Sequence, residues 1–188
     1  EVTQAFGDVV AGNCRIVEHL MLQCTVLREG QKVAFAIGLN EAALLRGAPF
    51  SILDIDLHVD GDLATTFSCD GLIISTPAGS TAHSLSAGGP ILRKTLDAFV
   101  ISAISPHTLT VRPVVDSSSR IYEMTLRETA AETAVAVDGR VIANATQQDV
   151  IRVEKAERPF LMIEVDGQND YRSLREKLDW GGRIRHKK

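Results

Sequence analysis

At the end of its most strand-like run, residues 72–76, the chain sets Thr76, Ser80, Thr81, Ser84, Ser86 and three glycines in the stretch DGLIISTPAGSTAHSLSAGGPIL, residues 70–92. Short hydroxyl side chains both donate and accept hydrogen bonds, which suits a ribose, an amide or the edge of an adenine. Pro77 ends the strand ladder, and Gly79 opens backbone geometry that other residues enter only at a cost. The residues STAHSLS predict a short helix near 80–87, whose first N–H groups have no partner inside the helix. Ser80 or Thr81 could cap those groups, or a phosphate could sit there. A serine-rich capping loop and a ligand loop both fit this segment.

A second polar pair stands in GLNEAALLRG, residues 38–47, where an apolar strand ends at Asn40 and Glu41. An amide beside a carboxylate can read an adenine edge with one side chain and grip vicinal ribose hydroxyls with the other. An asparagine helix cap followed by a first-turn acid would use the same two residues for structure alone. Asp54, Asp56 and His58 alternate with Leu53, Ile55, Leu57 and Val59. They read as the wet face of a half-buried strand, ended by the Asp60-Gly61 turn, and not as a metal site. Cys14, Cys24 and Cys69 lack CxxC spacing, so neither zinc nor a disulfide framework is indicated. Buried, reduced thiols in a cytoplasmic protein are the expectation.

The frame for these side chains is read from strand signals. Residues 15–27 and 33–39 predict a hairpin across REGQK, and 53–59 a strand. Further strands are predicted at about 63–68, 72–76, 98–104, 109–115, 121–127, 134–137, 150–154 and 160–165. Helix is confined to 80–87 and to DYRSLREKLDW, residues 170–180, with Asp170 as cap and Leu174 and Leu178 one turn apart. Short strands with turn residues between them predict a mainly β fold, a two-sheet β-sandwich, as one domain over residues 1–188.

Of the 188 residues 45% are hydrophobic and 23% charged, ordinary for a globular domain, while 5% aromatics leave the core to aliphatic side chains and alanine. A net charge of −4 leaves no electrostatic footprint for nucleic acid, and the closing RIRHKK reads as a solvated tail. No apolar run approaches the roughly 20 residues that span a bilayer, so no membrane partner is expected. The start, EVTQAFGDVVAG, has neither a signal-peptide pattern nor an initiator Met, and a piece of a longer protein is expected.

GLNEAALLRG, the 70–92 block, ISPHTLTVRPVV, VDGR and KLDW stand in the order and approximate spacing of the bacterial-type NAD kinases, the ATP/polyphosphate-NAD kinase family. The chain resembles the C-terminal, NAD-binding half of such a kinase from about residue 15 to about residue 185. In the family that half is a β-sandwich. The resemblance implies that Asn40 contacts the adenine of NAD and Glu41 the ribose hydroxyls. It implies that Ala78, Thr81, Ala82, His83, Ser84, Leu85 and Ser86 line the same pocket. Asp70 would lie near the nicotinamide end, and Asp138 and Arg140 of VDGR would belong to a later pocket segment. Pro106 and His107 match a stretch close to a neighbouring subunit, which implies a homo-oligomer. Residues 166–188 would pack on the N-terminal domain.

Such kinases phosphorylate the 2′-hydroxyl of the adenosine ribose to give NADP, using ATP or polyphosphate and a divalent metal such as Mg. Their GGDG motif carries the aspartate that activates this hydroxyl, and it is absent from these 188 residues. VDGD, residues 59–62, and VDGR, residues 137–140, have another glycine order. No catalytic residue and no metal ligand is therefore assigned to this chain, and the isolated fragment is expected to be inactive. A non-catalytic dinucleotide-binding or regulatory module is the alternative. His83 stands where the family usually stacks a Tyr on the adenine, and Ala78 where it often has Thr or Ser. Both departures bear on affinity.

Overall fold

The computed structural model describes residues 2–48, 52–128 and 132–165 together with Leu174. In chain order the elements are α1 (Val2–Val10), β1 (Cys14–His19), β2 (Leu22–Arg28), β3 (Gln31–Gly38), β4 (Glu41–Leu45), β5 (Leu53–Val59), β6 (Asp62–Cys69) and β7 (Gly71–Ser75). A 3₁₀ turn (Gly79–Thr81) leads into α2 (His83–Ser86), followed by β8 (Ala98–Ile104), β9 (Val114–Ser117), β10 (Tyr122–Leu126), β11 (Thr133–Val137), β12 (Arg140–Ala145), β13 (Asp149–Lys155) and β14 (Phe160–Val165). The mainly β, two-sheet architecture is as expected.

Two compact units share these elements. In residues 1–18 with 161–188, β1 pairs with β14, and Arg15 donates two hydrogen bonds to Glu164 at 3.2 and 2.8 Å. Residues 19–160 hold two six-stranded antiparallel sheets, ordered β3-β2-β13-β10-β5-β6 and β12-β11-β4-β7-β8-β9. Alternation builds the first sheet: Leu53, Ile55 and Leu57 of β5 and Tyr122, Met124 and Leu126 of β10 face the core, while Asp54 is exposed. The second sheet is buried more evenly, with all of β7 and most of β4 and β8 inaccessible. One apolar cluster fills the space between the sheets, from Leu22, Cys24 and Val26 through Leu44, Leu72 and Ile74 to Phe99 and Tyr122. Burial pushes the Cys24 thiol up to about 12 and Cys69 to about 11, so these two are packing residues, not nucleophiles.

Five local expectations change. Residues 15–27 are two strands in different sheets, not one hairpin arm. β9 begins at Val114, and residues 109–113 form no strand. Pro113 has no N–H, and Arg112 donates at 2.7 and 2.8 Å to the carbonyls of Leu109 and Val111 that a ladder would use. Helix α1 and strand β12 were not among the predicted elements. The run after Asn40, where no element was predicted, is strand β4, flanked on both sides by β11 and β7, so the helix-cap alternative does not hold there. The predicted helix over 170–180 lies outside the described residues apart from Leu174, as does the tail 166–188. No helix among the described residues is long and apolar enough to cross a membrane.

Candidate functional site

Strand order brings three chain segments together at one end of the central strands of the second sheet. Glu41 opens β4 opposite Ser75, the last residue of β7, while Ala42 faces Val137, the last residue of β11. The Leu39–Asn40 link, the Ser75–Gly79 loop and the Asp138-Gly139 turn therefore converge. At Leu39 and Asn40 the chain also changes sheets, since Gly38 still pairs with Leu22 in the first. Two residues in such a crossing have no ladder partners, and their backbone groups must be satisfied elsewhere.

Side chains satisfy them from both flanks. The Asp138 carboxylate accepts from the backbone N–H of Leu39 at 2.7 Å, Asn40 at 2.8 Å and Glu41 at 3.0 Å. Its own N–H donates to the Glu41 carbonyl at 3.0 Å. On the other flank the Thr76 hydroxyl donates to the Leu39 carbonyl. The Thr76 N–H and the Ser75 hydroxyl donate to the Asn40 carbonyl at 2.8 and 3.2 Å. Gly79 lies directly over this link: a Cβ built on it would stand 2.0 Å from the Asn40 oxygen.

On this clamped backbone the Glu41 side chain is only 8% exposed, and its Oε2 has no hydrogen-bond partner. Buried polar atoms are normally paired, so an orphaned carboxylate oxygen marks a place where a donor is expected. Burial and then the neighbouring Asp138 carboxylate hold the Glu41 pKa above the ordinary carboxylate value, and His83 pulls it the other way.

The hydroxyl loop divides by role. Ser80 and Thr81 do not cap α2: they donate to the carbonyls of Pro77 at 2.7 Å and Ala78 at 3.2 Å, and the residue at the cap is Ala82. Ser80 also accepts from the Leu92 N–H at 2.9 Å, and the buried Ser84 hydroxyl pairs with Ser102 at 3.1 Å. Ser84 thereby ties the loop to β8, and Ser80 ties the start of the loop to its continuation at Leu92. Thr81, Ala82, His83 and Ser86 are exposed on its outer side, Ala78 and Leu85 are half-buried, and exposed Arg140 opens β12 two residues after Asp138. Asp70 stands apart from the cluster. It precedes the other end of β7, roughly 17 Å from Ser75 at about 3.4 Å per residue, and pairs with Arg46 at 2.9 Å. Sequence reasoning missed Ser75 and Leu39, and it credited Gly79 with backbone freedom where its role is close approach to Asn40.

Fold and site together define an antiparallel two-sheet sandwich domain that presents a buried carboxylate with an unpaired oxygen, next in sequence to an asparagine, where a central strand begins. The ATP-NAD kinase C-terminal domain family matches residues 39–165, and the chain belongs to that family. It is 53% identical to the NAD kinase of Rhodopirellula baltica over 96% of this chain, and it spans 58% of that relative's length. A crystal structure of yeast NADH kinase complexed with NADH has the same fold, with a TM-score of 0.91 over all of this chain and 55% of that one at 24% identity. An NAD kinase from Archaeoglobus fulgidus, solved in complex with ATP, superposes with a TM-score of 0.78 over 95% of this chain and 66% of that one at 26% identity.

Proposed function

We propose that this chain is the dinucleotide-binding part of an NAD kinase, holding the adenosine half of NAD. The 2′-hydroxyl of that ribose attacks the γ-phosphorus of ATP, ADP leaves, the hydroxyl proton is lost, and NADP forms. The observation that carries the reading is the orphaned Oε2 of buried Glu41, held next to Asn40 on a backbone whose own groups are already paired. Asn40 has donor and acceptor for an adenine edge, and Glu41 has acceptors for vicinal hydroxyls. Ala78, Thr81, Ala82, His83, Leu85 and Ser86 form the neighbouring wall, with the His83 ring available to stack. Asp138 and Arg140 flank the mouth, Ser84 supports the loop, and Asp70 belongs to the nicotinamide end.

The phosphoryl donor, ATP or polyphosphate, and the general base lie in this reading on the part of the relatives that this chain does not span. Magnesium comes with the donor's phosphates and needs few protein ligands. Among the described residues no group of three or more His, Cys, Asp or Glu side chains gathers, and no residue here is assigned to the metal. The setting is the reducing cytoplasm, where the three thiols stay free.

The chain alone should therefore form no NADP from NAD, ATP and magnesium, since base positioning by itself contributes ~10²–10⁴-fold. Joined behind the N-terminal part of the Rhodopirellula baltica enzyme, it should form NADP. Product from the isolated chain, or a folded and silent chimera, would overturn the assignment. A homo-oligomer completes the proposal: Val33, Phe35 and Ile37 face outward along edge strand β3, 49%, 46% and 53% exposed, and a second copy would cover them. Sedimentation at micromolar concentration should show more than a monomer.

A further inference from the structure

Three consecutive backbone N–H groups pointing at one place form a cradle for an anion. At Leu39, Asn40 and Glu41 that cradle is filled by the chain's own Asp138, a residue 97 to 99 positions away. A carboxylate has about four acceptor sites. Three are taken here, at 2.7, 2.8 and 3.0 Å, so little capacity remains for a ligand. The geometry of the turn serves this contact. Asp138 has φ 47° and Gly139 φ 75°, the left-handed pair of a tight hairpin turn between β11 and β12, which sends the side chain back over the crossing link. Gly38 leaves the approach open, since a Cβ there would stand 3.1 Å from Asp138 Oδ1 and 2.7 Å from Val137 Cγ1.

We propose that Asp138 is a positioning residue: its carboxylate straps the backbone of residues 39–41 so that Glu41 stands where the ribose hydroxyls are gripped, and it does not itself touch the ligand. The inference rests on the reading of Glu41 as the ribose ligand and replaces direct contact by Asp138 with an action through its neighbours. The strap also puts a negative charge beside Glu41, which keeps that carboxylate tied to donors brought by a ligand.

Two variants keep the turn. Asp138→Asn retains a left-handed Asn-Gly pair but turns an N–H₂ toward the Leu39 N–H, and Asp138→Gly removes the side chain where glycine adopts φ 47° freely. The test uses the full chain. Amide hydrogen exchange at Leu39, Asn40 and Glu41 should rise about tenfold in Asp138→Asn and about 100-fold in Asp138→Gly, the scale of charge-assisted hydrogen bonds, while amides of β2, β10 and β13 stay as they were. Calorimetry with adenosine and 2′,3′-dideoxyadenosine then asks what the strap does. The unaltered chain should prefer adenosine, and Asp138→Asn should lower that preference about tenfold through loss of adenosine binding alone. In a Glu41→Gln background Asp138→Asn should add nothing, because its effect passes through Glu41. Unchanged exchange at 39–41 overturns the strap. Equal loss for both nucleosides overturns the action through Glu41. No preference for adenosine in the unaltered chain overturns the ribose reading itself, which the exchange experiment does not depend on.

Discussion

Gly79→Ala should be the most damaging alanine replacement among the described glycines. The added Cβ would stand 2.0 Å from the Asn40 oxygen, 2.5 Å from its carbonyl carbon and 2.6 Å from its Cα. All three are backbone atoms of a link fixed by Asp138 on one side and by Ser75 and Thr76 on the other, so no side chain can swing away. Overpacking of this kind costs about 1–3 kcal/mol, and a backbone obstacle belongs at the upper end. At this chain length that is a fall in Tm of roughly 6–12 °C. Relief by displacing the loop would break the Gly79 N–H bond to the Thr76 hydroxyl, 3.1 Å, and with it the support of the Leu39 carbonyl. Adenosine binding should be lost together with stability. Gly7→Ala is the control: nothing lies within 4 Å of its would-be Cβ, it sits inside α1, and alanine there should gain up to about 1 kcal/mol. Equal melting temperatures for the two variants, by differential scanning calorimetry, would refute the close-approach role of Gly79.

The sequence exposes this site unevenly, for physical reasons. Where one face of a strand is wet, alternation is visible: Leu53 to Val59 shows both its strand and its turn. β4 lies in the middle of the second sheet and is buried on both faces, so Ala42 to Leu45 carry no alternation and no strand is predicted there. Only pairing with β7 and β11, remote in sequence, makes them a strand. The reverse error arises at 109–113, where apolar spacing mimics a strand that Pro113 and the Arg112 side chain prevent. Asn40 and Glu41 are legible as residue types that suit adenine and ribose, and the hydroxyl loop as an excess of small polar groups. Their support is not legible. Backbone amides accept any residue type, so nothing in Leu39 announces that Asp138 holds it. The burial that leaves one Glu41 oxygen unpaired is a property of packing, and neighbouring residues do not encode it.

Glu41→Gln should separate stability from function by moving them in opposite directions. Burial first, and then the Asp138 carboxylate, raise the Glu41 pKa, while His83 partly offsets them. A carboxylate whose folded-state pKa is raised favours folding fully only below its unfolded pKa, and that contribution is lost as pH rises through the folded value. Above the folded-state pKa the ionised Glu41 therefore weighs against the empty domain. Glutamine keeps the shape without the charge, so above that pKa the unliganded variant should melt higher than the unaltered chain. Binding should go the other way. Hydrogen bonds to a charged acceptor are worth about 1.5–3 kcal/mol against about 0.5–1.5 for a neutral one, so adenosine affinity should fall about tenfold. In the chimera with the N-terminal part of the relative, turnover should fall further, roughly 10²-fold, because a misplaced 2′-hydroxyl harms the transition state more than the ground state. Ligand hydroxyls donate to the ionised form, so adenosine affinity of the unaltered chain should weaken as pH falls through the Glu41 pKa, which burial raises above its ordinary value, and Glu41→Gln should lose that dependence. A carboxylate kept only for structure would behave otherwise: its glutamine variant would melt lower and bind adenosine as well as before, and calorimetry and thermal melts at two pH values distinguish the two outcomes.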